Sequence, residues 1–136
     1  MLMTFDVHSS GEQISPEKPG FSVSSISRGK GGGQPAADCS DAGILVLESS
    51  IKLQKGVAYS IEVVKGKDKN AIFPSKPVIP TEHYFNNNQL VFVWLDGGTY
   101  EQDPINLTIG ISSVSPGGVT SEQQILIISH PGVKQP

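Results

Sequence analysis

Cysteine is almost absent from this 136-residue chain, with Cys39 standing alone. A single thiol cannot close an intrachain disulfide, a thiolate zinc site or a CxxC redox pair, so Cys39 is expected to be a small buried or half-buried side chain. Long apolar runs are missing as well. No segment approaches the roughly 18 consecutive apolar residues of a transmembrane helix, so no membrane span is expected. Charge is sparse, at 17% of residues with a net charge of −3, and Lys and Arg are scattered rather than gathered into a stripe. Such a chain lacks the electrostatic footprint of a nucleic-acid binder, and nucleic acid is set aside as a partner. Helical periodicity is the last absence, since nowhere do apolar residues recur at i, i+3, i+4 and i+7 over three turns.

What is there is turn chemistry and alternation. Fifteen glycines and ten prolines punctuate short apolar stretches, a composition that favours short strands joined by turns. The length fits one domain of common size with one hydrophobic core. Residues 1–19 are polar, contain SSGEQ and PEKP, and read as an N-terminal tail or a loosely held edge segment. Ser15 and Pro16 have the form of a helix start, but Pro19-Gly20 stops it within a turn. Residues 20–130 form the domain, and 131–136 a C-terminal tail. Strands are expected at 20–28, 43–49, 51–54 with 57–65, brokenly through 71–79, and at 89–95, 105–114 and 123–129. In the strand from 105, Ile105, Leu107, Ile109 and Ile111 line one face and Asn106, Thr108, Gly110 and Ser112 the other. That is the pattern of a sheet with one wet side. By contrast LVFVWL, residues 90–95, is apolar on both faces, which predicts a central strand whose second face is covered by a loop or a partner. The expected fold class is all-β, a sandwich of about seven short antiparallel strands.

The last hairpin carries a resemblance. Residues Leu107, Ile109, Ile111, Ser113, Val114, Ser115, Gly118 and Ser121 fall on the spacing Y-x-V-x-V-x-A-V-N-x-x-G-x-x-S of the F strand and FG turn of fibronectin type III and related immunoglobulin-like modules. The segment 107–121 therefore resembles that family. Leu107 stands where the family has its corner tyrosine, and Trp94 lies nearer in sequence than the family's core tryptophan. The resemblance implies an immunoglobulin-like β sandwich, with a positive-φ glycine in the turn before the last strand. It implies no particular function, because such sandwiches host unrelated ones.

Motifs that carry chemistry are few. In SRGKGGGQPAAD, residues 27–38, Lys30 precedes its glycines, no Ser or Thr follows it, and no helix opens behind it. A phosphate-cradling loop needs the reverse order and a helix N-terminus, so this stretch is expected to be a flexible connection between strands. His8, His83 and His130 are dispersed, with none at the spacing that places two imidazoles on one metal. No serine sits in G-x-S-x-G or S-x-x-K. The acidic loop Asp96 to Asp103 offers oxygen donors from Asp96, Glu101 and Asp103, a weak candidate for Ca²⁺, with a solvated turn as the plainer expectation. Tyr84, Phe85 and Tyr100, with Trp94 beside them, are the candidate face for stacking on a sugar or contacting a protein. Asn106-Leu-Thr108 matches a glycosylation sequon inside a strand.

The expectation is a non-catalytic immunoglobulin-like binding or structural module without a cofactor, acting on an unknown protein or glycan. The alternatives are a carbohydrate-binding domain attached to an enzyme and a subunit that assembles through a sheet edge. The opening MLMTFDVHSS has neither a basic n-region nor an apolar run of about 7–15 residues, so it does not read as a signal peptide. A secreted, periplasmic or cell-surface setting is expected if such a peptide has been trimmed, and a cytoplasmic one otherwise.

Overall fold

The computed structural model describes residues 2–4, 16–29, 42–95 and 103–132. Eight strands and one short helix follow in the order β1 (Leu2–Thr4), β2 (Phe21–Ser27), β3 (Ala42–Ser49), β4 (Ala58–Lys65), β5 (Val78–Pro80), α1 (Glu82–Asn86), β6 (Gln89–Leu95), β7 (Ile105–Val114) and β8 (Gln124–His130). They make a five-stranded sheet, β1-β5-β4-β7-β8, and a three-stranded sheet, β2-β3-β6. Every named pairing is antiparallel.

The two sheets share one core. Leu45, Leu47, Leu90, Phe92 and Trp94 come from the smaller sheet, and Tyr59, Ile105, Leu107, Ile109, Ile111 and Ile128 from the larger, all in a single cluster of buried side chains. This is the arrangement of a β sandwich, and it follows from alternation, because each strand sends every second side chain inward. Phe21 of β2 meets Tyr59 of β4 edge to face across the layers, with ring centroids 5.2 Å apart. Burial raises the Tyr59 phenol to about 12 from its ordinary 10.0, since a phenolate inside the core loses its hydration.

β7 is built as its alternation predicts, with Ile105, Leu107, Ile109 and Ile111 all buried. Its outward face is wet at Asn106 and Thr108 only. Farther on, Gly110 lies beneath the side chain of Gln123, whose amide donates to the Glu62 carboxylate at 3.1 Å. The turn that follows has Gly118 at φ +90°, the conformation that the resemblance of the hairpin implies. Ser121 then ties the returning chain to Ser113: its N–H donates to the Ser113 carbonyl at 2.9 Å, and its hydroxyl accepts from the Ser113 N–H at 2.9 Å.

Three expectations need correction. Residues 51–54 form no strand; the Leu53 N–H donates to the Asn88 side-chain oxygen at 3.1 Å instead of to a neighbouring strand. Asn88 reaches that position from a left-handed conformation, φ 56°, which asparagine tolerates well. The segment after β5 closes into the five-residue helix α1, too short to leave a periodic signature. The largest correction concerns LVFVWL. β6 is an edge strand: among the described residues it pairs with β3 alone. Apolar text on both faces established that neither face is built for water, but it carried no information on how many neighbours the strand has.

Candidate assembly edge

The free side of β6 can be read from its register with β3. The Ser49 N–H donates to the Asn88 carbonyl at 2.8 Å, and Glu48 lies opposite Gln89. In an antiparallel ladder, bonded and non-bonded pairs alternate, so Leu90, Phe92 and Trp94 turn their backbone groups toward β3. Val91, Val93 and Leu95 turn theirs away, toward the open edge. No hydrogen bond from those outward N–H and C=O groups is recorded to any described residue.

Side chains on the outer face of this ribbon are apolar on both strands. Val46 lies opposite Val91, Ile44 opposite Val93, and Ala42 opposite Leu95. Exposure rises along β6 from Val91, which is buried, through Val93 at 52% to Leu95 at 81%. The inner face is anchored by Trp94, whose indole lies flat over Gly43 on β3, in the space a Cβ there would need. β6 is thus held from inside, while its outer face and edge are covered at Val91 and open toward Val93 and Leu95. It contains neither a charged residue nor a proline, the usual guards of an edge strand.

The edges of the two sheets approach each other on both sides of the sandwich, β2 beside β8 and β1 with β5 beside β6. β2 and β8 are also free of charged residues at neutral histidine, yet their edges close on each other. The Gln124 side chain accepts from the Phe21 N–H at 2.8 Å and donates to the Phe21 carbonyl at 2.6 Å, doing with an amide what a paired strand does with its backbone. At the other end of that seam, Arg28 donates to the Asp103 carbonyl at 2.7 Å and lies 3.4 Å from His130 Nδ1. Nδ1 also accepts from the Gly132 N–H at 2.9 Å, which leaves the ring proton on Nε2. Ile125 and Ile127 are exposed on the outer face of β8.

The residues singled out in the sequence do not converge. Tyr84 and Phe85 are neighbours on α1 and both half-buried. Phe85 packs against the core and, with Val57, Ile79 and Pro80, lines a cavity of about 470 Å³ whose rim includes Lys55 and Glu82. The Tyr84 ring instead meets His83, with centroids 5.1 Å apart. Tyr100, Asp96 and Glu101 lie outside the described residues, as do the loop from Lys30, Cys39 and His8. Asp103 is exposed, and its backbone carbonyl is what Arg28 holds. Among the described residues no three His, Cys, Asp or Glu side chains gather as a metal site. No helix of the described chain is long and apolar enough to cross a membrane. The β6 edge was missed as a site because its signal, an uncharged strand, becomes one only when the strand's place in the sheet is known.

Compared with known proteins, the chain matches no family model, no curated protein and no solved structure.

Proposed function

We propose that this chain is a non-catalytic binding or structural module of immunoglobulin-like type, and that it works by docking another β-strand along β6. The observation that carries the proposal is a strand edge with its hydrogen-bonding groups turned outward, no charge or proline to guard it, and Val93 and Leu95 exposed beside it. Strand addition of this kind uses main-chain bonds for affinity and alternate side chains for specificity. Burying an aliphatic side chain completely contributes about 1.5–3 kcal/mol, so covering Val93 and Leu95 favours a docked strand and offsets part of the cost of association.

Amide hydrogen exchange on highly dilute protein tests this. The N–H groups of Val93 and Leu95 are expected to exchange quickly, while those in the middle of β7 stay protected. Protection of the β6 edge equal to that of β7, in a sample shown to be monomeric, would mean that the chain covers the edge itself.

A further inference from the structure

We infer that the cavity between β4, β5 and α1 is a binding site for a small zwitterion with an apolar body, of the class of a free α-amino acid with a large apolar side chain. The site is separate from the β6 edge and does not depend on it. It exists because two neighbouring strands part. β4 and β5 meet at the single pair Tyr59 and Val78. Continued in the same antiparallel register, the ladder would set Val57 opposite Pro80, where proline has no N–H to give it. Val57, Ile79 and Pro80 become walls of a cavity of about 470 Å³ instead. α1 closes one side with Phe85, which also packs on the core. The volume falls within the range of about 300–1,000 Å³ of small-molecule sites, and apolar walls with a few polar groups at the mouth are their usual lining.

The two charges at the rim narrow the class of ligand. Gly56, at φ +85°, turns the chain before β4, with the Val57 N–H donating to the Gln54 carbonyl at 3.3 Å, and this turn sets Lys55 at the mouth. Glu82, the first residue of α1, stands at the same mouth. Both are exposed, and among the described residues neither takes part in an ion pair. A ligand with one charge satisfies one of them and is repelled by the other: a carboxylate meets Lys55 but is opposed by Glu82, and an amine the reverse. A zwitterion matches both. Its apolar body, an aromatic or branched side chain, then fills the space between Val57, Ile79, Pro80 and Phe85.

L-phenylalanine, titrated into the whole chain and followed by NMR, is the probe. The methyl resonances of Val57 and Ile79 and the ring of Phe85 should shift while those of Val93 and Leu95 stay still, with a dissociation constant of about a millimolar for so small a ligand. 3-Phenylpropanoate, which lacks the amine, and phenethylamine, which lacks the carboxylate, should each bind about two- to fivefold more weakly, the modest difference that charge pairs at an exposed rim supply. Lys55→Gln should erase the advantage of L-phenylalanine over phenethylamine, and Glu82→Gln its advantage over 3-phenylpropanoate. Absence of shifts at these walls up to the solubility limit of L-phenylalanine would overturn the inference. Equal affinity of the parent for all three compounds would overturn it too, because the cavity would then read the apolar body alone.

Discussion

β7 and β6 both contribute to the core and differ on their other side. Ile105, Leu107, Ile109 and Ile111 point inward from β7, as Leu90, Phe92 and Trp94 do from β6. Outward, β7 shows Asn106 and Thr108 and then hides Gly110 under Gln123, while β6 shows Val93 and Leu95. β7 has strands on both sides, β4 and β8, so its backbone is satisfied and its outer face needs only to be tolerated by water. Among the described residues β6 pairs with one neighbour, and an uncharged outer face at such an edge is the reverse of what protects a sheet from association. The inner alternation of a strand is a statement about folding, and its outer residues, once the strand is placed, are a statement about what the folded chain meets.

The comparison is broken most severely from the β7 side. Leu107→Ala removes a buried side chain from the centre of the sandwich and is expected to cost about 2–5 kcal/mol in a denaturant titration. A loss below about 1 kcal/mol would show that β7 does not organise the core. A smaller loss is expected where β3 meets β6. A methyl group on Gly43 runs into the Trp94 indole, so Gly43→Ala should cost about 1–3 kcal/mol through overpacking. Should that variant be as stable as the parent, Trp94 is not pinned against β3 and the anchoring assigned to β6 is lost.

The alkaline limb of stability sharpens the picture of the interior. Tyr59 is opposite Ser113 of β7 and holds its proton up to about 12, whereas in the unfolded chain it ionises near 10.0. A group whose folded pKa is raised contributes stability that is full below the unfolded value and is lost as pH climbs toward the folded one. Thermal stability should therefore fall between pH 10 and about 12, and Tyr59→Phe should flatten that decline relative to the parent. An equal decline in both proteins would assign the alkaline loss to other groups.

Much of the fold was legible because alternation is local. The pattern in 105–111 marked β7, and similar patterns marked β2, β3, β4 and β8 to within a residue or two at most ends. The turn at Gly118 was legible from the resemblance of the last hairpin. What was hidden depends on distant partners. β1 pairs Leu2 with Pro80 and Thr4 with Val78, an association that no feature of a short polar-flanked segment announces. Asn88 looked like one of three loop asparagines, yet it fastens both Leu53 and Ser49. The site was legible in half: LVFVWL advertised a covered second face, but the lack of a covering strand emerges only from the sheet order. Of the aromatic candidates, Phe85 serves the core as well as a cavity wall, which its sequence neighbourhood did not distinguish from Tyr84.

The central claim is that Val93 and Leu95, on the outer face of β6, are open for docking and take no part in holding the monomer together. The most direct measurement is the unfolding free energy of the double variant Val93→Lys and Leu95→Lys, taken at a dilution where the parent is monomeric. Surface substitutions usually stay within about 0.5 kcal/mol, and the account predicts a change of that size. A loss of about 2 kcal/mol or more, in the range of core truncations, would show that the chain buries these side chains on its own and would contradict the claim.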